Sequence, residues 1–379
     1  MRYAFFNPLP RLESPRRARR SGGLGAPRRR PPTPDRPLSH AGRIVNISDS
    51  RPHIAVVGAG IAGLSCATTL RAAGCRLRLF DRSRGPAGRM SARRDGDWQC
   101  DHGAQYFTAR DRAFRAEVAR WQKAGAAAAW PARLAVLDAP NSTAHTTQIE
   151  RFVGTPRMSA PARLLAETLP LTTDCTIEKV LCEPRGWRLW SAEHGAIDDR
   201  FDAVVLAMPA PQVAPLLHAP APELAAMARS TVMRACWALM LRFDAPLPLA
   251  FDAAFVNHGP LRWMAHDSSK PGRGGPETWL LHARAEWSEA HLDTPPEQVA
   301  AAMLAAFEQC GGRTPVAWTA HRWPYADVAP DGDPAPGYVW REVDGLGLCG
   351  DWLNGGRVEG AWLSGRALGH EMLRALQSV

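Results

Sequence analysis

Apolar positions along this chain change period several times, and each change marks an element. Ile54–Val57 is a short unbroken apolar run closed by glycine, as a strand buried on both faces requires. Small and apolar residues from Leu64 to Ala73 predict a helix, Gly74 ends it, and Leu77–Phe80 predicts a second buried strand closing on Asp81. Strand, helix and strand in this order predict a parallel βαβ unit.

Further along, Trp98–Thr108 reads as a short strand with a polar-glycine turn, and Phe114, Val118 and Trp121 put Asp111–Gly125 in a helix. Residues 124–144 are rich in Ala and Pro and show no period. Ala160–Leu169 predicts a helix, and Cys175–Glu183 and Trp187–Ala192 predict two strands. Phe201–Met208 is an apolar strand stopped by Pro209. Residues 210–317 mix helices (Glu223–Arg229, Pro296–Gln309) with strands (Cys236–Phe243, Trp279–Ala283), which predicts an inserted domain with a more antiparallel sheet. Its tryptophans read as core, and Ser268–Gly275 reads as an exposed loop. The chain then returns to its opening grammar. Gly345–Cys349 is a short strand ended by Gly350 and Asp351, and a helix starts at Val358 after a polar-glycine loop.

Charge changes this picture at one end only. The net charge of +9 is carried by residues 1–52, with 12 Arg against Glu13, Asp35 and Asp49; the other 34 basic and 34 acidic residues cancel. Arginine runs among Pro, Gly and Ser predict a disordered basic tail. It reads as a solvated segment, or as upstream sequence translated from a start codon assigned too early. No stacking aromatic is interleaved with the arginines, which argues against nucleic acid. Eight scattered cysteines with no C-x-x-C pair argue against zinc and point to a reducing, cytoplasmic setting. No apolar stretch is long enough to predict a membrane span.

The candidate chemistry starts at the first strand. Gly58, Gly60 and Gly63 stand in G-x-G-x-x-G spacing, with Ala59, Ile61 and Ala62 between them. Such a turn brings backbone N–H groups and a helix N-terminus to a diphosphate, and Asp81 lies at the distance of an acid that accepts ribose hydroxyls. Arg82, Gly88, Arg89 and Met90 follow in a second Gly-and-Arg loop suited to an anionic cofactor, with Arg89 as a permanently charged planar donor. The Val358–Ala361 helix start aims a second N-terminus at a strand end. Two such termini suit a long cofactor, diphosphate at one and a ring that gains negative charge at the other, which favours FAD over NAD.

These segments together resemble the flavin amine-oxidase superfamily, and within it the renalase-like oxidoreductases. The carriers are GAGIAG with Asp81, GRMSARR (Gly88–Arg94), DHGAQYFT (Asp101–Thr108), LAMPAPQ (Leu206–Gln212), HRWPYA (His321–Ala326) and GLCGDWLNGGRVEGAWLSG (Gly347–Gly365). The resemblance spans about residues 53–376. It implies an α/β fold: an FAD-binding Rossmann-like domain with a parallel sheet (53–106, 152–212, 318–379) and an inserted α+β substrate domain (107–151, 213–317). It implies non-covalent FAD, with Gly58–Gly63 on the diphosphate, Asp81 on the ribose and Ile177 meeting the adenine through its backbone. Arg89, Gln105 and Tyr106 would lie along the cofactor near the flavin. Asp351 would take the ribityl or phosphate region, and Gly360 and Ala361 the pyrimidine end. Relatives usually carry two adjacent glycines before the loop arginine; here the first is Ala87.

The implied activity is hydride transfer from a small donor, such as a misreduced dihydropyridine nucleotide, to flavin N5, with O2 as acceptor giving H2O2. An amine oxidase of the same fold is the alternative, and a non-catalytic flavin- or nucleotide-binding protein with a basic interaction tail is a third. Amine oxidases commonly place a lysine near flavin N5. The only lysines, Lys123, Lys179 and Lys270, read as a helix face, a strand and a surface loop, none well placed. No catalytic acid or base stands out. His282 and His321 are candidates for substrate contact, and Cys349 reads as packed rather than tethered to flavin.

Overall fold

A computed structural model describes residues 51–138, 149–329 and 335–377. The basic tail to residue 50 and the end of the Ala- and Pro-rich 124–144 stretch lie outside the described residues.

Four of the apolar runs found above become neighbours in a six-stranded sheet, joined by two short half-buried strands that the pattern did not predict. Leu346–Leu348, Ala203–Leu206, His53–Val57, Arg76–Phe80 and Leu171–Thr172 lie side by side and parallel, with Val339–Arg341 antiparallel at one edge. Because side chains alternate across a strand, the central run feeds two cores. Ile54 and Val56 pack with Leu64, Leu70, Leu368 and Met372, whereas Ala55 and Val57 pack with Phe80, Val204 and Leu206. The helices Ile61–Ala72 and Val358–Gln377 cover the first of these faces. They touch almost backbone to backbone: a Cβ on Gly365 would lie 1.9 Å from the Ala62 carbonyl oxygen, and one on Gly369 2.9 Å from Thr69 Cβ. Ser65 Oγ donates to the Trp362 carbonyl at 2.8 Å across the same seam.

A second six-stranded sheet runs Ala317–Val328, Met233–Phe243, Glu277–Ala283, Leu261–His266, Ala253–Val256 and Leu134–Leu137, antiparallel except for the last pair. Helix Pro296–Gln309 packs Val299, Met303 and Phe307 onto Trp279 and Leu281 of this sheet. The strand Ala317–Val328 therefore pairs with the inserted part, although residues from 318 onward were grouped with the nucleotide-binding part. Its alternation of exposed and half-buried positions suits an edge strand of either sheet, so the local pattern could not choose.

Ser268–Gly275 also departs from its reading as an exposed loop. Its glycines are at the surface, but Lys270 is 2 % exposed and the Arg273 side chain 1 %. Both cations are drawn inward by Asp101 and Asp267, and Asp101 is too distant in sequence for local composition to reveal the contact.

Candidate functional site

The carboxyl ends of the parallel strands open onto a cavity of about 730 Å³, walled in part by Val57, Phe80, Ala207 and Gly350. This is where open α/β sheets hold ligands, and the volume lies in the upper range for small-molecule sites.

Gly58 makes the first turn at φ +105°, and a Cβ there would meet the Ala207 carbonyl oxygen at 2.5 Å. At Gly60 the Cβ position is open space, so the backbone itself forms the wall. Gly60 caps the first helix without a side-chain hydrogen bond, and no acid stands in the first turn. The helix thus offers unclaimed N–H groups and its partial positive charge to the cavity. Asp81 lines the same space; its carboxylate accepts from Ala59 N at 2.7 Å and Ser83 N at 2.8 Å, tying the glycine turn to the second strand. Asp81 and Asp351 follow strands three places apart in the sheet, about 14 Å at the usual strand spacing. The glycine turn and the uncapped helix start stand on a strand between them, with Gly60 and Ile61 in the cavity wall.

At the Asp351 end, Arg89 is not a free donor. Its guanidinium grips Asp351 at 3.0 and 2.5 Å and also donates to the Ala326 carbonyl at 3.2 Å. Burial pushes the Asp351 carboxyl above its usual value, and Arg89 pulls it only part of the way back. Next to this pair lies the Asp101–Tyr106 segment: Ala104 N donates to the Arg89 carbonyl at 2.9 Å. His102, His321 and Trp323 line the cavity here.

Behind His102 is a buried ionic cluster. Lys270 Nζ donates to Asp267 at 2.6 Å and to Asp101 and Gln105 Oε1 at 3.2 Å each, while Arg273 pairs with Asp101. Burial raises the Asp101 carboxyl, but the Lys270 and Arg273 cations beside it prevail and hold it below the usual range. For Asp267 burial prevails and its carboxyl is raised.

Of the residues singled out in the sequence, Gly58, Gly60, Ile61, Ala62, Asp81, Arg82, Gly88, Arg89, Ile177, Asp351 and Ala361 meet around the cavity, as does His321. The others lie outside its wall. Ala59 is buried behind the turn, and Met90 is in the core. Gly63 and Gly360 allow close packing, since a Cβ would meet Gly58 O at 2.0 Å or Asn354 O at 1.9 Å. Gln105 points into the ionic cluster, and Tyr106 packs on Trp263 beneath the Arg151 guanidinium. His282 is fully buried and donates through Nε2 to the His102 carbonyl at 3.2 Å. Cys349 is buried away from the wall. His102, Trp323 and Gln212 also line the cavity; each lies in a segment that carries the resemblance, but none was given a role of its own. The period-2 spacing of His321 and Trp323 on one strand was the available signal.

The open Gly60 cradle, the uncapped helix start and an acid at each end of one long cavity fit FAD. The fold and site thus define a dinucleotide-binding protein with room for a flavin, and the family match below makes it a flavin-dependent oxidoreductase. The chain belongs to the flavin containing amine oxidoreductase family: residues 110–368 match that family, and residues 56–120 match the NAD(P)-binding Rossmann-like domain. Its fold is similar to that of a putative protoporphyrinogen oxidase from Exiguobacterium sp. 255-15, at 14 % identity and TM-score 0.68, covering 86 % of this chain and 99 % of that one. It is likewise similar to cyclohexylamine oxidase from Brevibacterium oxydans IH-35A, at 11 % identity and TM-score 0.67, covering 86 % and 100 %. A putrescine oxidase bound to putrescine matches at 12 % identity and TM-score 0.65, covering 86 % and 99 %. Among the described residues no helix is long and apolar enough to cross a membrane.

Proposed function

We propose that the protein oxidises misreduced dihydropyridine nucleotides in a renalase-like reaction. One dihydropyridine, one O2 and one proton give one pyridinium and one H2O2. Bound FAD supplies the two-electron relay at N5. The residues of the chain hold and orient: Gly58–Ala62 cradle the diphosphate, Asp81 accepts the ribose hydroxyls, and the Ile177 backbone meets the adenine. Asp351, fixed by Arg89, takes the ribityl region, and Ala361 closes the pyrimidine end.

The observation that carries this reading is the state of Lys270. All three of its N–H bonds are spent on Asp267, Asp101 and Gln105, and it does not line the cavity. No lysine lines the wall. Aromatisation drives hydride departure from a dihydropyridine, so that reaction needs no base there. Eight free thiols suit a reducing, cytoplasmic setting.

The family description and the putrescine and cyclohexylamine oxidases support a second reading, oxidation of an amine. Anaerobic stopped-flow reduction of the bound flavin separates the two. Pyridine-nucleotide isomers should bleach it within a turnover while a panel of amines does not. Bleaching by an amine alone would overturn the first reading in favour of the second.

A further inference from the structure

Three rings close the end of the cavity next to Arg89 and Asp351. His102 stacks on Trp323 with centroids 5.0 Å apart and planes at 29°, and His321 stands edge-on to both at 4.7 and 4.5 Å. The group is held from behind. The His102 carbonyl accepts from Trp323 Nε1 at 2.9 Å and from His282 Nε2 at 3.2 Å, and the neighbouring Asp101 is locked into the ionic cluster. This wall is therefore preorganised rather than a loop that must order on binding.

Its charge is as informative as its shape. Burial, then the neighbouring His321, pushes the His102 imidazole down to about 3; burial, then Arg93, pushes His321 down to about 4. Both rings are uncharged at neutral pH. The nearby carboxylates are spent, Asp351 on Arg89 and Asp101 on Lys270 and Arg273. Arg322 lines the same cavity. The other carboxylates of the cavity wall, Asp81 and Glu178, stand by the glycine turn and Ile177. An ammonium group entering between the rings would therefore shed its water with no carboxylate free beside it, which is costly. One face of Trp323 is already covered by His102, which weakens any cation–π compensation.

We propose that the His102–His321–Trp323 wall is the subsite that receives the uncharged planar ring of the hydride donor and discriminates against ammonium substrates. This rests on the dihydropyridine reading above. Nothing in it requires a proton to move; the three side chains determine specificity by contact.

The test uses the FAD-loaded protein and two probes, nicotinamide and benzylamine, followed by perturbation of the flavin spectrum. Nicotinamide should bind the tighter. Trp323→Leu should weaken nicotinamide about tenfold and raise KM for the dihydropyridine donor by a similar factor, with FAD content unchanged. His321→Leu, at a less buried ring, should act in the same direction, and His321→Glu should improve benzylamine binding. Unchanged nicotinamide affinity in both leucine variants with FAD retained, or tighter binding of benzylamine by the wild type, overturns the inference. The two readings fail separately. A wild-type flavin that no dihydropyridine reduces, but whose nicotinamide affinity still depends on Trp323, defeats the proposed reaction and leaves the subsite standing.

Discussion

Ala87 concentrates the tension between local preference and site geometry in one residue. It stands at φ +124° and ψ −21°, 2 % exposed, with its N–H donating to the Ala59 carbonyl at 3.0 Å. A Cβ is strained there, and the surrounding turn has to hold it in place. Ala87→Gly relieves the strain but gives back some entropy to the unfolded chain, so the net gain should be about 1 kcal/mol, read as a higher denaturation midpoint. This position was legible: two glycines where relatives carry them and one alanine here announced a backbone the sequence does not favour. Lys270 was not legible. Its glycine-rich neighbours described the turn correctly, while the acids that bury it are set by tertiary contacts that no window of sequence contains.

Elements were easier to read than their contacts. Periodicity placed the first helix, the Pro296–Gln309 helix and four strands of the parallel sheet close to their observed bounds, because each is buried on a fixed face, and missed the half-buried Leu171–Thr172. What it did not show was that Gly365 and Gly369, one turn apart, let the last helix press onto the first. That seam bears on the site, because Ala62, whose carbonyl Gly365 touches, also lines the cavity. Gly365→Ala should push the helices apart, cost about 1–3 kcal/mol and loosen FAD. Chemical denaturation and the rate of flavin release measure the two effects.

At the scale of the molecule, the ionic cluster fastens the second sheet to the segment that carries His102. Lys270 lies between strands Leu261–His266 and Glu277–Ala283, and Asp101 opens the segment packed on Arg89. Lys270→Met should destabilise the fold by about 3–5 kcal/mol, since it strands Asp267 as an unpaired buried carboxyl; urea unfolding tests this. The shared grammar of the opening and closing segments was readable, and His53–Val57 and Leu346–Leu348 do lie in one sheet. The placement of Ala317–Val328 was not, since an edge strand carries little pattern of its own. The parallel sheet sets His53–Val57 two places from Leu346–Leu348. A ribosome delivers the glycine turn early and its partners Asp351 and Ala361 only after everything between has been made. The parallel sheet therefore lacks one of its inner strands until Leu346–Leu348 has been made, and a cavity walled by both Gly60 and Asp351 cannot exist before then.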